Sequence, residues 1–193
     1  MAIRRGGHSV LRAPMLLSLA PLALLPMAGC ATPPAGTGMP ASAHPEATPF
    51  DPAADAAAAL DAALLRAAET DRRVLLVTGA NWCHDSRALA GWLGTDRFRQ
   101  LADEHFEVVH VDVGQPQTGE GRNLDLARRF GHAQSGTPNV LMLTPEGLPV
   151  NADTAASWRN AASRSGEAIY AELLDLAQRP AGLTQPNETN GGN

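Results

Sequence analysis

Cys83 is the residue on which a chemical reading of this chain turns. It follows Trp82 and precedes His84, Asp85 and Ser86. Upstream, Val74, Leu75, Leu76 and Val77 form a continuous apolar run, the pattern of a strand buried on both faces. Downstream, Ala88, Leu89, Trp92 and Leu93 recur at helical spacing. Gly79 and Asn81 supply a turn between the two. A cysteine at such a junction opens a helix, where unpaired N–H groups and the helix dipole favour an anion and raise the thiolate fraction. The chemistry on offer is attack by a thiolate on another sulfur. Ser86, three residues on, lies on the same side of the helix and can donate its hydroxyl to that thiolate. A protonated His84 would favour the thiolate, whereas Asp85 would oppose it and suits the helix start instead. The competing reading of Cys83 is a buried, inert thiol.

The elements that must position this turn can be read around it. Asp51-Pro52 reads as a helix opening, a capping residue followed by proline. Leu60, Leu64, Leu65 and Ala68 then give an apolar stripe up to Thr70. Residues 73–78 are the central strand, and a helix runs from the cysteine to about residue 93. Thr95 or Asp96 caps a further helical piece carrying Phe98, Leu101 and Ala102. Residues 106–113, FEVVHVDV, read as a second strand, and residues 114–122, with three glycines and a proline, as a loop. Residues 123–130 are a short helix. Residues 136–144 are a turn feeding a strand, and 145–148 connect it to a short strand around 149–151, predicting a hairpin. Helical segments begin at Asp153 and at Ser165, the latter carrying Ile169, Leu173, Leu174 and Ala177. Trp92 and Trp158 read as core, as does His110 within its strand.

Two motifs carry a family resemblance. Trp82-Cys83-His84-Asp85-Ser86 after a buried strand resembles the Trp-Cys-x-x-Cys motif of the thioredoxin fold, with serine in place of the second cysteine. Thr137-Pro138 resembles the family's proline, usually cis, that precedes the third strand and faces the cysteine turn. The resemblance covers about 130 residues. It implies an α/β fold, a three-layer α/β/α sandwich whose mixed sheet has central parallel strands and a C-terminal β-hairpin plus helix. It also implies that Cys83 and Ser86 hold the catalytic positions. Trp82, His84, Thr137 and Pro138 would then border a groove for an extended peptide. The chain departs from the family in three places. Ser86 cannot resolve a mixed disulfide, Val77 replaces a buried acid six residues before the cysteine, and Val108 falls where its lysine partner is expected. A two-cysteine reductase cycle is therefore closed to this chain.

The ends of the chain speak to location. Arg4, Arg5 and Arg12 precede an apolar run at residues 15–27, too short and proline-broken to span a bilayer, as in an export signal. Met27-Ala28-Gly29-Cys30 resembles the bacterial lipobox, which implies a signal at 1–29 and acylation of Cys30, a durable membrane anchor. Ala31, rather than aspartate, after that cysteine implies outer-membrane sorting, on the periplasmic face of the envelope. Residues 30–49, with the Pro/Ala/Gly-rich stretch after Cys30, read as a tether of about 25 Å average reach, with His44 in solvent. The domain then spans 50–179, and 180–193 form a polar tail. Formal charge is −5, and all 15 basic residues are arginine. Without residues 1–29 the balance is 20 acids against 12 arginines, an acidic surface that gives nucleic acid no footing.

No cofactor is expected. A metal held by Cys83, His84 or Asp85 with His132 has no second ligand pair at zinc spacing, so no metal is expected either. Two functions follow. In one, Cys83 performs thiol–disulfide exchange or sulfenic-acid chemistry on a protein or small-molecule substrate, with an external thiol completing turnover. In the other, the fold is a non-catalytic module docking extended segments of an envelope partner.

Overall fold

The computed structural model describes residues 44–181. The signal at 1–29, Cys30 and most of the tail at 180–193 lie outside the described residues. Helix α1 (Ala56–Thr70) leads into β1 (Arg73–Gly79), then α2 (His84–Leu93), α3 (Asp96–His105) and β2 (Phe106–Asp112). A small hairpin, β3 (Gly114–Gln115) and β4 (Glu120–Gly121), follows, then β5 (Asn139–Leu143) and α4 (Gly166–Gln178). The sheet order is β2-β1-β5, with β2 parallel and β5 antiparallel to β1. Among the described residues no helix is long and apolar enough to cross a membrane.

Strand alternation divides the core. Val74 and Leu76 face Ala56, Leu60, Ala63 and Ala67 of α1. Leu75 and Val77 face Leu89, Phe98, Trp158, Ile169 and Leu173 on the opposite side. A helix layer on each side of a mixed sheet is the α/β/α sandwich that the resemblance implies.

Four local readings shift, each for a physical reason. Helix α1 starts after Asp55, whose carboxylate accepts from Ala58 N at 3.0 Å. Asp51 instead accepts from Ala53 N in a turn. Phe50 belongs to one core and Ala56 to the other, so residues 51–55 must carry the chain between faces. The buried stripe of α1 is Ala56, Leu60, Ala63 and Ala67, while Leu65 is 69% exposed and Ala68 is also outside. The expected short helix at 123–130 is only a 3-10 turn, Ala127–Phe130.

The returning arm of the expected hairpin is a single bridge, Leu143 to Pro149. Pro149 has no N–H to continue a ladder. The Asn151 side chain takes the place of a strand backbone there. Its Oδ1 accepts from Met142 N at 2.8 Å and its Nδ2 donates to Val140 O at 2.9 Å.

The largest revision concerns residues 44–49, read above as the end of the tether. They pack on α2, with Ala47 N donating to Arg87 O at 3.1 Å and Arg87 Nε lying 3.1 Å from Glu46 Oε2. Phe50 is fully buried, and Asn81 clamps its backbone through both amide atoms, at 3.1 and 2.9 Å. Gly91 of α2 makes this approach possible, because a Cβ there would overlap the Pro45 carbonyl.

Candidate active site around Cys83

Strand β1 ends at Gly79 and the turn 80–82 delivers Cys83 as the N-cap residue of α2. Its backbone is extended and its carbonyl accepts from Arg87 N, so the thiol stands at the mouth of the helix. Cys83 N itself donates to Ala80 O at 3.0 Å, and the N–H groups of the first helical turn and the helix dipole point toward the thiol. Cys83 is half-buried and is the free cysteine of the described residues.

The Thr137–Pro138 peptide bond is cis, and the loop it forms meets the cysteine. Cys83 Sγ donates to Thr137 O at 3.4 Å. That brings together residues 54 positions apart in the chain. The loop is set from behind by a polar cluster. Thr78 Oγ1 donates to Gln134 Oε1 at 2.6 Å, and Gln134 Nε2 and Asn139 Nδ2 both donate to Gly136 O at 2.6 Å. Gly136 has φ +95°, and a Cβ on it would stand 2.7 Å from Arg159 Cδ. His132 is buried, its Nε2 3.0 Å from Asn139 Oδ1 and its Nδ1 3.2 Å from Ala152 O. It is part of that loop support.

The residues flanking Cys83 separate by role. Trp82 is 48% exposed, yet its indole N–H donates to Gly114 O at 2.9 Å. The long loop after β2 thus braces the aromatic wall. That brace is itself fixed by Asp112, which accepts from Gly114 N at 3.0 Å and lies 3.3 Å from Arg122. Arg87 donates to the carbonyls of Asn81 and Trp82, both at 3.2 Å, holding the turn. Asp85 accepts from Ala162 N at 2.9 Å, tying the start of α2 to the 3-10 segment Ala155–Ser163. It is a structural tether.

Ser86 is fully buried, and its Oγ accepts from Ala80 N at 3.4 Å. The hydrogen bond found for Cys83 Sγ runs to Thr137 and not to Ser86, so the expected serine–thiol pair does not form in this state. His84 turns to a different neighbourhood. Its ring lies 4.9 Å from that of His44, and its Nε2 is 3.5 Å from Glu46 Oε1. The hydrogen bond from Arg87 holds the Glu46 carboxyl below its ordinary range.

Beneath the site, Val77 occupies a fully buried position facing the α2 side of the sheet. The strand register pairs it with His110, and pairs Val108 with Leu75. His110, not Val108, is therefore the cross-strand neighbour of Val77. Burial pushes His110 down to about 4, so it is neutral at pH 7. Its Nε2 is buried without a hydrogen-bond partner, and Phe50 packs edge-on at 5.4 Å.

Sequence reasoning missed His44, Glu46 and the Asp112–Gly114–Arg122 brace. Glycine at an unusual loop length was the one visible signal for the latter. The Pro/Ala-rich composition of the former pointed elsewhere.

Comparison with known proteins agrees with this geometry. A family model described as thioredoxin-like matches residues 55–145, which contain both Cys83 and Pro138. No curated protein matches the chain. Among solved structures, a disulphide isomerase from Xylella fastidiosa Temecula1 is similar, with 34% sequence identity and a TM-score of 0.61. That match covers 67% of this chain and 97% of the isomerase. With a cysteine-headed helix facing a cis-proline loop on an α/β/α sandwich, this chain belongs to the thioredoxin-like family.

Proposed function

We propose that the chain is a monothiol exchange protein acting through Cys83. The observation that carries this reading is the meeting of Cys83 Sγ and Thr137 O, at 3.4 Å, beside the exposed Trp82. The similarity to a protein described as a disulphide isomerase supports it. The thiol gives up its proton to solvent and turns from Thr137 O, which a thiolate cannot bond. It attacks one sulfur of a substrate disulfide, forming a Cys83–substrate disulfide and expelling the other sulfur as thiolate. An external thiol then attacks the mixed disulfide, forming a disulfide with the substrate and releasing the Cys83 thiolate. On a sulfenic acid the thiolate expels hydroxide, which takes a proton from solvent and leaves as water, and the second step is the same. Ser86 supplies no second sulfur.

The test is trapping. In a Cys30→Ser background, a peptide disulfide should leave a stable adduct on Cys83, seen as added mass and discharged by excess glutathione. Cys83→Ser should give none. Absence of adduct in the unmodified site would favour the second reading, a docking module. That reading draws on the fact that no second thiol stands among the described residues, so the cleft beside Trp82 would hold an extended segment without chemistry.

We further propose that Cys30 is acylated and anchors the domain at the periplasmic face of the envelope, at the outer membrane. Cys30→Ser should then move the protein from the membrane to the soluble fraction. Retention on membranes after a salt wash would contradict the anchor.

A further inference from the structure

The segment docked on α2 brings together three side chains that the exchange chemistry does not use. One ligand atom each from His44, Glu46 and His84 lie within 4.8 Å of one another. We propose that these three residues form a binding site for a divalent transition ion of the zinc class. Two imidazoles and one carboxylate are ligands such an ion takes readily. Four-coordinate zinc with bonds of 2.0–2.1 Å requires ligand atoms about 3.3 Å apart. His84 Nε2 and Glu46 Oε1 already stand at 3.5 Å. His84 is well exposed and has room to close the remaining distance. Zinc's filled d-shell sets no directional preference beyond ligand packing, which suits ligands that must converge slightly.

The outer contacts have the form that orients metal ligands. His44 Nδ1 lies 3.3 Å from Pro45 O, an arrangement that ties up one ring nitrogen and leaves Nε2 for the ion. Arg87 holds Glu46 Oε2 at 3.1 Å, leaving Oε1 toward His84. The backbone carrying His44 and Glu46 is itself fixed, by Ala47 N on Arg87 O, by Asn81 on Phe50 and by the clearance at Gly91. Two charges oppose the ion, the Arg87 guanidinium and the positive end of α2. The site is therefore one of moderate affinity. Filled, it would pin the segment leading into the domain to the residue adjoining Cys83.

Isothermal titration of ZnCl₂ into the full chain carrying Cys30→Ser and Cys83→Ser tests this without thiols. One equivalent should bind. Adding His84→Ala or Glu46→Gln should each weaken that binding about tenfold or more. His105→Ala, which removes a histidine beside Glu104 elsewhere on the surface, should leave it unchanged. Gly91→Ala keeps all three ligands but displaces the segment, so it should weaken binding by a similar factor. The proposal is overturned if His84→Ala and Glu46→Gln change affinity less than twofold. It is also overturned if removing the thiols abolishes the bound equivalent, or if Gly91→Ala binds as tightly as its parent.

Discussion

Ser86→Cys should raise the disulfide reductase activity of this chain, with dithiothreitol as donor, well above that of the unsubstituted protein. The substitution places a second thiol one helical turn from Cys83, at the spacing from which a mixed disulfide can be resolved internally. The structure adds a constraint. Position 86 is fully buried beside Gly79 and faces Ala80 N, so substrate does not reach the new thiol, which must turn from Ala80 toward Cys83 to resolve the mixed disulfide. Turnover should remain slow, because Val77 offers no acid or base beneath it and neutral His110 is packed against Phe50. An unassisted proton transfer costs about 10²-fold or more in rate. Insulin reduction followed by turbidity, in a Cys30→Ser background, provides the measurement. No turnover above the Cys83→Ser control would mean that Cys83 does not engage disulfides.

The second large effect is on stability as pH falls. His110 titrates near 4 when folded against an ordinary value of 6.5, because burial disfavours its charged form. Between those values the unfolded chain holds a proton that the native state lacks. Stability is therefore complete above pH 6.5, declines as pH falls through 6.5, and levels off below about 4. The whole change corresponds to about 3 kcal/mol, with about 2 kcal/mol already lost at pH 5. Arg99 and Asp103 line the same cavity of about 310 Å³ as His110, and neither makes a hydrogen bond to its ring. His110→Leu removes both the titrating group and an unpartnered buried nitrogen. Urea unfolding at pH 7.5 and pH 5 should show the variant with a flatter response and higher stability than its parent at pH 5. An equal slope in both proteins would assign the effect to other groups.

Local signals in the chain were sufficient where one element decides its own structure. The apolar run before Gly79, the helical spacing after Cys83 and the Thr137-Pro138 pair identify three elements and the cleft between them. Ser165 announces α4 in the same way, accepting from Ala168 N as an N-cap should. Readings failed where distant partners decide. Nothing near Pro45 shows that Gly91 leaves room for its carbonyl, or that Asn81 will clamp Phe50. A Pro/Ala stretch that reads as free linker is thus held by groups 31 to 41 residues away. The neighbour of Val77 was misplaced by two residues for a related reason. Parallel register across β1 and β2 depends on how α2 and α3 pack between them, and a two-residue slip keeps the same face toward the core. Val108 and His110 both satisfy the alternation, and only the ladder chooses His110.

The roles of Ser86 and His84 illustrate a further limit. Spacing put both on the right turn of α2, but side-chain direction depends on neighbours from other elements. Ala80 takes the serine, and the docked segment takes the histidine.

The central claim, that Cys83 is a poised nucleophile at a helix mouth and not a packing residue, is tested most directly by its rate of alkylation. Iodoacetamide should modify Cys83 in the Cys30→Ser protein faster at pH 7 than it modifies a free cysteine peptide. The helix N-terminus stabilises the anion that reacts, and the thiol's half-buried position leaves it in reach. A rate equal to or below that of the peptide would contradict the account and leave the cleft as a docking surface.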